Sequence, residues 1–148
     1  MNGVFVALAL LGGAALSFQV VLNTQLQLQM GSPMQATCVS LGIGTAAALG
    51  YCLVAHTPWP YWAALSAAPR RVWGGGLLGI LYLWSTVVVA PRVGVAVTLG
   101  LVVAGQIVSS LLIDHLGVLG APIHPATLGH MMGAMLVVAG VLLMTAFK

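Results

Sequence analysis

Apolar residues run along this chain in blocks about as long as a membrane is thick. Polar side chains are confined to the gaps and to a few positions inside the blocks. A bilayer core needs about 20 apolar residues per helix, and five segments reach that length, at about 3–24, 34–55, 73–90, 94–115 and 127–147. Breakers mark the gaps. "QMGSP" at 29–33 carries Gly31 and Pro33, "HTPWPYW" at 56–62 sets two prolines among aromatics, "APRR" at 68–71 precedes the third block, and "LGAPIHP" at 119–125 holds two more prolines. "APRVG" at 90–94 reads as a tight turn, because Pro91 ends a helix and Arg92 needs the interface; the third and fourth blocks are therefore separate spans. Trp59, Tyr61, Trp62 and Trp73 gather at one boundary, where amphipathic rings sit at headgroup level. The opening "NGVFVALALLGGAALS" lacks the positive residues that precede a signal-peptide core, and four apolar blocks follow it, so it reads as a retained first span. The pattern predicts an all-α integral membrane protein with one five-helix transmembrane domain over 1–148 and its ends on opposite sides of the bilayer.

Composition agrees. The chain is 61% hydrophobic and 3% charged, where a soluble domain carries about a quarter charged residues; its mean hydropathy is +1.13. Four Lys/Arg are too sparse for a nucleic-acid footprint, which needs a clustered basic face. Cys38 and Cys52 lie in one block, roughly 21 Å apart on a helix rising 1.5 Å per residue, beyond the reach of a disulfide.

Charge changes the picture in one respect. The cytoplasmic side of a membrane protein normally carries the excess of Lys/Arg. Here Arg70 and Arg71 fall on the N-terminal side, and Arg92 and Lys148 on the other, so there is no bias. Four charges tie easily by chance. The tie also fits a chain that inserts in both orientations and pairs with an inverted copy of itself, a geometry that an odd number of spans permits.

Inside the blocks, polar residues form stripes. Gln106, Ser110 and Asp114 recur at i, i+4, i+8 in the fourth block, flanked by Thr98 and Ser109, and so share one helix face. Asp114 is the only acid in the chain, about one turn from the end of its span beside His115 and Gly117. It reads either as an interfacial carboxylate bonded to or paired with His115, or as a proton or cation site at the mouth of a pathway. Gln106 falls mid-span, where an amide facing lipid would be unsatisfied, and is expected to face protein or a cavity. Gln19 and Asn23 make a second i+4 stripe in the first block, continued by Gln27, which is expected beyond the membrane together with Gln29. The two intramembrane amides serve either as interhelical glue or as ligand contacts. The third block offers Gly75, Gly79, Tyr82, Ser85 and Thr86 near Trp84. Its glycines are expected to permit close helix approach, and its aromatics either fill a core or wall a ligand site. Thr37, Ser40, Gly44, Ala47 and Ala48 form a small-residue face in the second block. Gly129, Gly133 and Gly140 do so in the fifth, with "GHMMG" a GxxxG pattern, which makes the fifth block the candidate for subunit contact. His115, His124 and His130 gather round one loop without metal-ligand spacing, and no nucleophile–base pair, phosphate loop or HExxH occurs. No enzyme activity, metal or cofactor is expected.

"NTQLQLQMGSPMQATCVSLGIGT", "GILYLWSTVVVAPRVGVAVTLGLVVAGQIVSSLLIDHLGVLG" and "LGHMMGAMLVVAGVLLM" resemble the short five-helix YdcZ-like proteins of the drug/metabolite transporter superfamily, over nearly the whole chain. The resemblance implies a multi-pass protein of the bacterial inner (plasma) membrane. It also implies half of a ten-helix fold of two inverted five-helix repeats, completed here by an antiparallel homodimer. The first four helices would line the cavity, which brings Gln19, Asn23, Tyr82, Ser85 and Gln106 to its wall with Ser110 beside them, and the fifth would pack away from it. The small multidrug-resistance proteins of that superfamily use a glutamate deep in the first helix, which this first span lacks, so drug-cation/proton antiport does not transfer and Asp114 is the one side-chain carboxylate left for coupling to protons. The expected function is secondary transport of a small polar or amphipathic metabolite by alternating access. The alternative is a non-transporting accessory or assembly subunit whose amides only hold helices together.

Overall fold

The computed structural model of the chain describes Gly3 to Phe147, apart from the side chain of Ala64. Lys148, one of the four cations tallied above, lies outside the described residues. All regular elements among the described residues are helical, and five helices are long and apolar enough to cross a membrane. Contacts divide the chain into two compact units at Pro91 and Arg92.

The first unit opens with α1 (Gly3–Met30) and α2 (Pro33–Val54), which pack on one another. Gly31 turns the chain with φ 74°, in the left-handed region where glycine carries no Cβ penalty. Ser32 then caps α2, its hydroxyl accepting from the Gln35 N–H at 3.5 Å. Pro33 takes the first helical position, where its missing N–H costs nothing. The buried residues of the pair, Val20 and Asn23 on α1 and Ala36 and Thr37 on α2, lie in the halves nearest this turn. α1 runs through Gln27 and Gln29, six residues past the expected boundary at 24. Glutamine is a good helix former, so the drop in apolarity there did not end the helix. Its 28 residues span about 42 Å, against an apolar core of about 30 Å, so the helix must tilt or protrude.

The aromatic boundary contains a short helix, α3 (Trp62–Ala67), then a 3-10 turn over Arg70–Trp73 that leads straight into α4 (Gly74–Val93). Leu83, Thr86, Val87 and Ala90 are the buried residues of α4 and fall at i, i+3, i+4 and i+7, one face of a helix. Pro91 was expected to end this helix, but α4 continues to Val93. The proline removes only a bond of the last turn, and the break is made instead by Gly94 at φ 85°.

The second unit is a hairpin of α5 (Val95–Leu116) and α6 (Leu128–Ala146). The two helices approach closely at Gly100, where an added Cβ would sit 3.1 Å from Val141 Cγ2. Gly117 ends α5 in the left-handed conformation (φ 61°, ψ 31°), its N–H bonded to the Ile113 carbonyl. Thr127 caps α6, its hydroxyl accepting from the His130 N–H at 3.3 Å while His130 Nδ1 accepts from the Thr127 N–H at 3.4 Å. Within the protomer no more than 17% of any spanning window is buried.

Candidate functional site

Polar side chains on the spanning helices fall into two populations. Several hydroxyls donate to their own helix backbone: Thr37 to the Pro33 carbonyl at 2.9 Å, Thr86 to Leu83 at 2.8 Å, Thr98 to Gly94 at 2.7 Å, Ser85 to Tyr82 at 2.8 Å and Ser110 to Ile107 at 2.9 Å. These side chains satisfy themselves at membrane depth and keep only acceptor capacity for anything else. Amides are less easily satisfied this way.

Gln19 is half-buried, and one turn further along α1 the Asn23 side chain is buried, 5% exposed. The Asn23 Nδ2 donor and the Gln27 Oε1 acceptor are both enclosed by protein with no hydrogen-bond partner. The Tyr82 hydroxyl on α4 is in the same condition. A buried polar group left unpaired costs about 1–3 kcal/mol, more than an exposed one of the same kind. Gln27 had been expected beyond the membrane. The extension of α1 makes it the next member of the Gln19–Asn23 stripe, a repeat of four that was visible in the sequence.

In the second unit, the continuity of α5 puts Gln106, Ser110 and Asp114 on one face, and all three side chains are exposed in the protomer. His115 does not turn to Asp114; its Nδ1 accepts from the Ala126 N–H at 3.4 Å. The Asp114 backbone carbonyl accepts from the His124 N–H at 2.8 Å, and the His124 ring lies 3.1 Å from the Pro122 carbonyl. The three histidines of this region thus brace the 117–127 loop and the start of α6. Asp114 is left at the end of α5 with its side chain exposed. An open apolar groove of about 390 Å³ on this hairpin is lined by Val108, Leu111, Leu112, His115, Ala126 and Met131. Its walls suit a hydrocarbon chain, and the polar stripe is not among them.

The glycines divide as the sequence did not foresee. At Gly75, Gly79, Gly133 and Gly140 an added Cβ meets nothing within 4 Å, and at Gly129 only the Thr127 hydroxyl at 3.8 Å. The close approach within the protomer is carried by Gly100 instead. Cys38 and Cys52 are both free.

Five helices long and apolar enough to cross a membrane define a multi-pass integral membrane protein. Residues 4–143 match the family described as "Putative inner membrane exporter, YdcZ". The chain belongs to that family, and is accordingly a multi-pass inner-membrane protein with a transporter's role. No curated protein and no solved structure matches it.

Proposed function

We propose that the chain is half of a secondary transporter, completed by a second copy inserted in the opposite sense, so that two five-helix repeats form one ten-helix antiparallel homodimer. The dimer moves a small polar or amphipathic metabolite by alternating access. The observation that supports this best is the exposed Gln106 on an apolar spanning helix. An unsatisfied polar group in hydrocarbon costs several kcal/mol, so this amide faces a substrate, water or other protein.

In this reading Gln19, Asn23, Tyr82, Ser85, Gln106 and Ser110 contact the substrate. Ser85 and Ser110 do so as acceptors only, since their protons go to backbone carbonyls. Asp114, the single side-chain carboxylate, carries the coupling proton or cation. Gly129, Gly133 and Gly140 on α6, whose Cβ positions are nearly empty in the protomer, admit the other copy. The balanced Lys/Arg distribution supports dual insertion.

The test is topology. A reporter fused after Lys148 that fluoresces only in the cytoplasm, and one active only in the periplasm, are both expected to give signal from the same expressed chain. Signal from one alone, in cells where the protein is membrane-inserted, contradicts the inverted homodimer.

A further inference from the structure

The pairing of groups on α1 narrows the ligand. Asn23 offers a buried N–H with nothing to donate to, and Gln27, one turn on, a buried carbonyl with nothing to accept from. Four residues of helix set the two backbone positions about 6 Å apart along the axis, with the side chains on one face. A ligand satisfying both must accept at one point and donate at a neighbouring one. Hydroxyl groups and primary amides do both.

Charge narrows it further. No Asp, Glu, Lys, Arg or His occurs from Gly3 to Ala55, which covers α1 and α2 entirely, nor from Gly74 to Pro91 on α4. Those stretches therefore present only dipoles. A full charge brought beside Asn23 and Gln27 out of water has no opposite charge within those stretches to offset its desolvation, the unit's Arg70 and Arg71 lying outside them, whereas an uncharged polar molecule needs only the hydrogen bonds on offer. We infer that Asn23 and Gln27 together bind a small uncharged molecule rich in hydroxyl or primary amide groups, a polyol or a short amide. This rests on the transporter reading above and names the substrate class for it.

The orphaned atoms give a test that separates ligand contact from structural glue. Asn23→Leu is nearly isosteric, and replacing a buried donor that has no protein partner by an apolar group is neutral or stabilising. Purified protein in proteoliposomes is given erythritol, ribitol and propionamide as uncharged probes, with tetramethylammonium and succinate as charged ones, and entry is followed by mass spectrometry. The protein should carry at least one uncharged probe and neither charged one. Asn23→Leu and Gln27→Leu should each cut that flux about tenfold, the loss of one hydrogen bond, with the melting temperature unchanged or raised and the oligomer intact. Flux of charged probes alone overturns the uncharged class and leaves the transporter reading standing. No flux of any probe counts against both. A fall in melting temperature or loss of the oligomer in Asn23→Leu, with or without loss of flux, makes the amide a structural contact and overturns the site.

Discussion

Gln106→Leu is expected to abolish most uptake while leaving the protein folded and dimeric. The amide stands on an exposed face of α5. Leucine at that position is compatible with lipid, with helix packing and with the helix itself, so nothing in the protomer depends on the polar group. A substrate that bonds to it loses at least one hydrogen bond, worth about 1 kcal/mol net in a water-accessible site, a factor of about five in flux. Counterflow in proteoliposomes, with size-exclusion chromatography of the same preparation, reads both quantities. Loss of the dimer with loss of uptake would mean that the amide holds subunits together and that the transport defect is secondary.

Gly117→Val is expected to be among the most destabilising single changes in the second unit. Two costs add at this position. Its backbone is left-handed at φ 61°, which costs an L residue about 1–2 kcal/mol and a β-branched one more. A Cβ would also lie 2.6 Å from Ile123 Cγ1 and 3.4 Å from the Ala121 carbonyl oxygen, adding a packing cost of about 1–3 kcal/mol less whatever the exposed Ile123 relieves by moving. The turn that Gly117 begins returns the chain so that the His124 N–H reaches the Asp114 carbonyl and the Ala126 N–H reaches His115. Gly117→Val should lower the melting temperature and expose the His124 amide to hydrogen exchange. Gly117→Asn, which tolerates that conformation, should retain most of the stability. Equal losses in both variants would mean that the backbone conformation is not what fixes the loop.

The membrane-spanning architecture was legible because hydropathy is a property of whole blocks, and five of them stand clear of their breakers. Helix ends were less so. Pro91 and the glutamines after Asn23 are signals about local backbone and solvent, and each was outweighed: Pro91 by its position in the last turn, and Gln25, Gln27 and Gln29 by helix propensity. The short helix α3 rests on six residues among aromatics and prolines, too few to show a period. Packing glycines could not be told apart by spacing, since Gly100 is no more regular in the sequence than Gly133. Only the facing helix distinguishes them, by bringing Val141 to the first and nothing to the second. The amide stripes on α1 and α5 were legible because a spacing of four is a face as soon as the segment is a helix. Which hydroxyls satisfy themselves was not, because that depends on side-chain rotation.

The account stands on a wet surface at mid-span of α5, and water access there can be measured directly. In protein with Cys38 and Cys52 replaced by serine, Gln106→Cys is exposed in membrane vesicles to a charged, membrane-impermeant methanethiosulfonate, beside Val108→Cys, which lies about 200° round the same helix. The account predicts that Cys at 106 is modified at a rate close to that of an aqueous thiol and is protected by transported substrate, while Cys at 108 stays unmodified. Equal inertness at the two positions, with a hydrophobic maleimide still labelling both, would place Gln106 in lipid or dry protein and contradict it.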